Sequence, residues 1–230
     1  MGQHWWDRGR QALLDGVELF LPTECPVCQQ PGQRLCASCA PRPSPRCVRP
    51  RFGDAVWAGG AYRDQLRASI LAAKLHGNRA VRPSLAEVLA ATLNEAVRTV
   101  PPEPLLLCVI PSTARAQRER GEHLMATLLR RLGVQVQPAV RLVRQPQDQA
   151  GLDLAARRQN LHGSLGAARW VAGQRVIVVD DVVTTGATLA EAARALLEGG
   201  VEQVIPVALA AAGTGPAEPG DGEKSLILGR

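Results

Sequence analysis

Val176-Ile-Val-Val-Asp180-Asp181-Val-Val-Thr184-Thr185-Gly186-Ala187-Thr188 decides how this 230-residue chain is read. An apolar strand runs into two adjacent acids, then into a Thr/Gly loop, then into a helical pattern. At the carboxyl end of a parallel strand, side chains open into the crevice where ligands bind. Backbone N–H groups and hydroxyls at the start of the following helix form a cradle for phosphate. Gly186 is expected to let the backbone approach the anion with no Cβ in the way. Two carboxylates beside a phosphate site would repel it unless they face hydroxyls or a metal. A sugar diol with Mg²⁺ nearby is their natural partner.

Working outward, Ala187–Glu198 reads as a helix stopped by Gly199-Gly200, and Val204–Ala210 as a further strand. Strand, helix, strand from Val176 to Ala210 is a βαβ unit, which implies a parallel sheet. Upstream, Ala55–Tyr62 and the continuous apolar run Leu105–Ile110 read as strands, and Val140–Val143 as a short one. Arg63–His76, Arg82–Val100 and Gly121–Leu132 read as helices. Trp6, Leu13, Leu14, Val17, Phe20 and Leu21 recur at helical spacing, so the first twenty residues read as an amphipathic helix. Pro41–Pro50 reads as an extended linker. The expected organisation is residues 1–53 as a helix, a four-Cys module and a basic linker, 54–212 as an α/β domain, and 213–230 as a flexible tail.

Four of the six cysteines fall as Cys25-Pro-Val-Cys28 and Cys36-Ala-Ser-Cys39. Two Cys-x-x-Cys knuckles so close together suit tetrahedral thiolate ligation of a structural zinc ion. An iron–sulfur cluster is the alternative metal centre. A disulfide pair or a redox pair fits less well, since no export signal is seen and neither explains the duplication. Cys47 is a spare thiol, and Cys108 lies in an apolar run as a core residue.

The composition is 46% apolar, enough for a sizeable core. No run approaches 18 uncharged apolar residues, so no membrane span is expected. Ala12–Leu21 contains Asp15 and Glu18 and lacks a cleavage site, so a cytoplasmic protein is expected. The formal charge is +6, and of the 27 basic residues only Lys74 and Lys224 are lysine. Between Cys25 and Gly53 there are five arginines and no acid; from Val176 onward three bases face eight acids. A basic front with an acidic C-terminal quarter suggests an anionic partner, phosphate or nucleic acid. No Walker A sequence and no Gly-x-Gly-x-x-Gly after a strand is present, which argues against nucleotide hydrolysis and dinucleotide binding.

The segment Asp180–Thr188 resembles the phosphoribosyl diphosphate (PRPP) motif of the type I phosphoribosyltransferases. The resemblance implies that Asp180 and Asp181 hold the ribose hydroxyls while Thr184, Thr185, Gly186, Ala187 and Thr188 hold the 5′-phosphate. A four-Cys module ahead of that motif is similar to the ComF family of bacterial competence proteins. Leu71-Ala-Ala-Lys74 resembles the family's helix-borne lysine, and Val109-Ile-Pro111-Ser112 with Arg115 and Arg120-Gly121 its first-strand loop. Gln149-Ala-Gly151-Leu152 through Arg157 and Asn160 resembles its Gln…Leu…Arg…Asn signature. Where the family continues Arg-Gly with an aromatic and Asn, this chain has Glu122 and His123.

This resemblance implies a type I phosphoribosyltransferase-like parallel sheet flanked by helices, with a small N-terminal zinc module. It also implies that the loop Pro111–Arg120, with Ser112, Thr113 and Arg115, contacts diphosphate. Gln145–Asn160 is the candidate lid, and Lys74, Arg120 and Arg157 are basic candidates around the site.

No segment identifies an acceptor base; the chain has only seven aromatic residues, most of them in or near the N-terminal module. Two functions therefore stand side by side. One is a PRPP-binding protein of natural competence and recombination, working with single-stranded DNA, a ComF-type helicase or other competence proteins. The other is an active phosphoribosyltransferase using PRPP and Mg²⁺ on a nucleobase or related acceptor. A weaker third reading is a PRPP sensor without chemistry.

Overall fold

The computed structural model describes residues 24–111, 123–145 and 159–213. The expected N-terminal helix and residues 214–230 of the expected tail lie outside them. Five strands form the main sheet: β1 (Arg46–Val48), β2 (Val56–Ala58), β3 (Leu106–Val109), β6 (Arg175–Val183) and β7 (Gln203–Ala211), in the order β1-β2-β7-β6-β3. The last four run parallel, and β1 is an antiparallel edge strand. β4 (Val140–Leu142) and β5 (Leu165–Ala167) form a separate antiparallel pair. The helices are α1 (Asp64–Leu75), α2 (Arg82–Arg98), α3 (Leu124–Arg131) and α4 (Ala187–Glu198).

Continuous apolar strands are expected where both faces of a sheet are covered, and both faces here are. Val176 and Val178 point into one core with Leu189, Ala192 and Leu196 of α4 and Val140 and Leu165 of the β4–β5 pair. Ile177 and Val179, one residue out of phase, point into the other core with Ile70 of α1, Leu85 and Leu89 of α2, and Leu128 of α3. The fold class read from the sequence is therefore the one observed: helices on both sides of a mostly parallel sheet.

α4 occupies the span its pattern indicates. Its N-cap, Gly186, stands at φ 82°, and the chain after Glu198 turns through Gly199 and Gly200. Pro206 lies in β7 opposite Val178, just before the register with β2 begins at Val207, so its missing N–H falls where β7 has no β2 partner.

Three elements differ from the sequence reading. β6 continues through Val183, so both acids belong to the strand, held there by pairing of Asp180 with Ala208 and Val182 with Ala210. The stretch Pro41–Pro50 is extended, but it is also built into the fold. Arg46–Val48 pairs with β2, and Val48 is fully buried. Its prolines flank the strand, where no ladder N–H is needed. β5, with a glycine at its centre, carries too weak a pattern to be read in advance.

Candidate functional site

Alternation along β6 sends neighbouring side chains to opposite faces. Asp181 shares the face of Ile177 and Val179, under α1, and Asp180 the face of α4. Both stand at the carboxyl end of the strand, where the crevice opens. Lys74, in the last turn of α1, forms an ion pair with Asp181, both side chains being about four-fifths buried. The Asp181 N–H donates to Asp180 Oδ1 at 2.8 Å. Burial, and then the Asp181 charge, raise Asp180 to about 7, against the lowering pull of its hydrogen bond and of Lys74. Asp180 is thus proton-sensitive near neutrality.

That arrangement has a measurable consequence. A raised carboxyl pKa means the folded protein binds this proton more tightly than the unfolded chain does. Its stabilising contribution is complete below the unfolded value near 4 and is lost as pH rises through about 7. A cationic ligand or a metal-bound diol drawn to the pair should expel the proton. Titration of PRPP with Mg²⁺ at pH 6.5 is expected to release protons, seen as a binding heat that varies with the ionisation enthalpy of the buffer. A buffer-independent heat would show that Asp180 keeps its protonation state.

Thr184, Thr185, Gly186, Ala187 and Thr188 line a small cavity of about 20 Å³ together with Asp180. The first N–H groups of α4 face it, with only a long contact from Ala187 N–H to Thr185 Oγ1 at 3.4 Å. An uncapped helix start with adjacent hydroxyls is the chemistry an anion needs. Gly186 has a second reason to be glycine, one the sequence does not show. A Cβ there would lie 2.2 Å from the Phe52 carbonyl oxygen and 2.7 Å from Pro50 Cβ. The segment Pro50–Phe52, descending from β1, braces the loop from behind, and the Phe52 N–H donates to the Thr185 carbonyl at 2.8 Å.

The carboxyl end of β3 lies beside the same acids, since the Ile110 N–H donates to the Val179 carbonyl at 3.3 Å. The loop that follows therefore starts next to the pair, but Ser112, Thr113, Arg115 and Arg120 lie outside the described residues. His123, the first described residue after that segment, bonds the Ile110 carbonyl through Nε2 at 2.9 Å, and its Nδ1 is buried without a hydrogen-bond partner among the described residues. Arg157 and most of Gln145–Asn160 also lie outside. The two ends of that segment are held together by the β4–β5 pair and by Arg144, which donates to the carbonyls of Asn160 and His162 at 2.8 and 2.9 Å.

The four Sγ atoms of Cys25, Cys28, Cys36 and Cys39 lie within 4.8 Å of one another. Cys36 Sγ is 3.6 Å from Cys28 Sγ and 3.7 Å from Cys25 Sγ. Zn–S bonds of about 2.3 Å in a tetrahedron put sulfurs about 3.8 Å apart, so the cluster fits zinc, whereas a disulfide needs about 2.05 Å. Burial raises the Cys25 thiol, but backbone hydrogen bonds from Cys36, Cys28 and Val27 outweigh it and bring it down to about 6. A thiolate is thus already favoured among the ligands.

With this geometry in view, comparisons with known proteins fall into place. Residues 119–227 match the phosphoribosyl transferase domain. The chain is also 29% identical over 191 residues to the DNA utilization protein YhgH of Escherichia coli O157:H7, covering 79% of this chain and 81% of that protein. Both matches agree with the resemblance of its motifs to ComF-like phosphoribosyltransferases. Among solved structures it is similar to the allosteric regulatory enzyme of purine biosynthesis, with 23% identity and a TM-score of 0.32 over 55% of this chain; it spans 24% of that chain's length. It is also similar to adenine phosphoribosyltransferase from Saccharomyces cerevisiae, with 18% identity and a TM-score of 0.38, covering 73% of this chain and 83% of that one. Among the described residues, no helix is long and apolar enough to cross a membrane.

Proposed function

We propose that this protein binds PRPP at the carboxyl edge of its sheet and works in DNA uptake and recombination, in contact with single-stranded DNA or with other competence proteins such as a ComF-type helicase. The observation that supports the first part most directly is the juxtaposition on β6 and α4. An acid pair stands beside a helix-start cradle, with Lys74 on Asp181. Asp180 and Asp181 would accept from the ribose hydroxyls, and Thr184–Thr188 would hold the 5′-phosphate. Mg²⁺ would neutralise the diphosphate. The role in DNA metabolism is carried over from the similarity to a DNA utilization protein. The four cysteines hold a structural zinc in this reading, residues 1–53 and 54–212 are its two parts, and the cytoplasm is where it acts.

Isothermal titration with PRPP and Mg²⁺ tests it. The wild-type protein is expected to bind, and Asp181→Asn to bind at least tenfold more weakly, because loss of the charge removes both a diol acceptor and the partner that positions Lys74. Equal affinities would remove the acid pair from the site.

A second reading, an active phosphoribosyltransferase, is favoured by the placement of the β3 loop beside the acid pair, where a leaving diphosphate would need contacts. It requires diphosphate release that depends on an added acceptor and disappears in Asp181→Asn.

A further inference from the structure

A second cavity lies at the same edge of the sheet, far from the phosphate cradle. Because β1 runs antiparallel to β2, its first residue, Arg46, meets the carboxyl end of β2 at Ala58. There a cavity of about 420 Å³ opens between the four-Cys module and the α/β domain, with Ser38 and Arg42 from the module side, Ser44 and Arg46 from the approach to β1, and Arg63 at the start of α1. Its far end is joined to the sugar-phosphate site by α1 itself, whose 12 residues span about 18 Å from Asp64 to the turn that carries Lys74.

The charges in this cavity are not accounted for by the fold. Among the described residues neither Arg42 nor Arg46 meets a carboxylate, and Arg46 Nε is buried with no hydrogen-bond partner. Only Arg63 has one, a 3.6 Å pairing with the exposed Asp64 on the rim. A buried guanidinium N–H left unpaired destabilises the protein unless a ligand completes it. Guanidinium forks and serine hydroxyls match phosphate oxygens. The space is several times larger than one phosphate needs, and in the chain its lining residues Ala61 and Arg63 flank Tyr62, whose ring carries the Arg67 guanidinium 5.9 Å from its centre. An aromatic platform beside unpaired arginines is the pairing that holds bases and backbone of a single strand.

We propose that this cavity seats backbone phosphate of single-stranded DNA on Arg42 and Arg46, with a neighbouring base on Tyr62, and so leads a strand along α1 toward the sugar-phosphate site. The inference deepens the DNA-binding part of the proposed function and rests on it; it does not rest on PRPP binding. Fluorescence anisotropy with a labelled twelve-residue oligothymidylate, run over a range of salt, tests it.

The doubly substituted Arg42→Ala, Arg46→Gln protein is expected to lose at least tenfold in affinity at low salt, with the log–log salt slope shallower by about 1.4, two contacts at roughly 0.7 each for a single strand. Tyr62→Ala should weaken binding without changing the slope, and Arg169→Ala, an exposed arginine at the other end of the molecule, should change neither. Retained PRPP heat in the same preparations shows that the variants are folded. Unchanged oligothymidylate binding by the double variant overturns the proposal. So does a wild-type protein that binds no oligothymidylate, or one in which inorganic phosphate alone saturates the arginines and the strand does not compete. No PRPP heat from the wild-type protein, with strand binding lost in variants whose circular dichroism is unchanged, would instead sink the PRPP reading and leave the cavity standing.

Discussion

Gly186→Ala is expected to cost at least about 2 kcal/mol of stability and to abolish measurable PRPP binding. Two effects add. The residue stands at φ 82°, where an L side chain costs about 1–2 kcal/mol. The new methyl also points at the Phe52 carbonyl oxygen from 2.2 Å and at Pro50 from 2.7 Å. Backbone cannot swing aside as a long side chain can, so either the loop or the Pro50–Phe52 brace must move, at an overpacking cost of about 1–3 kcal/mol. Either movement breaks the Phe52-to-Thr185 hydrogen bond and displaces the N–H groups that face the anion. Gly133→Ala provides the comparison, because Gly133 has φ 73° with nothing within 4 Å of the added Cβ. Urea unfolding should separate the two variants by the clash alone, and PRPP titration should show binding lost only in the first. Equal destabilisation with binding retained would mean that the loop tolerates the displacement.

This contrast also marks how far the sequence could be read. Val176–Glu198 was legible because each part of it is locally determined: an apolar run covered on both faces, a Gly cap, a helix of alanine and leucine, a Gly-Gly stop. The acid pair was legible because carboxylates at a strand end have few structural uses. Gly186 was read as letting the backbone approach an anion; the structure adds a second constraint, the brace at Pro50–Phe52, which is 134 residues away in the chain and leaves no local mark. Lys74 was singled out through resemblance, and the packing of α1 over β6 explains it by bringing the ammonium onto Asp181. Arg46–Val48 looked like a linker because proline and arginine dominate its surroundings; its strand character comes from β2, which supplies the partner. His123 carried no signal at all, because a histidine that bonds a carbonyl 13 residues back has no spacing rule.

The largest effect is expected from the cysteine cluster. Cys36 lies at its centre, buried, with Sγ 3.6 and 3.7 Å from two of the other sulfurs. Among the described residues the module has little else to hold it: its core is Cys25, Cys36 and Cys39 with Val27 and Leu35 packed against them. So few apolar groups cannot offset the entropy of ordering the loops, and structural zinc in small modules supplies about 10–16 kcal/mol of apparent binding energy. Cys36→Ser should therefore take bound zinc from about one per chain to none and expose residues 24–40 to protease, while the sheet, whose two cores exclude these sulfurs, stays folded. Because Arg46–Val48 remains paired to β2, the brace behind Gly186 should persist and PRPP binding should fall only modestly; oligothymidylate binding should fall further, since Ser38 and Arg42 leave the arginine-lined cavity with the module. Metal analysis and limited proteolysis read the first effect and the two titrations read the second. Full zinc content in Cys36→Ser would mean that three thiolates suffice, and iron with visible absorbance near 400 nm in the wild type would replace zinc by a cluster on the same four sulfurs.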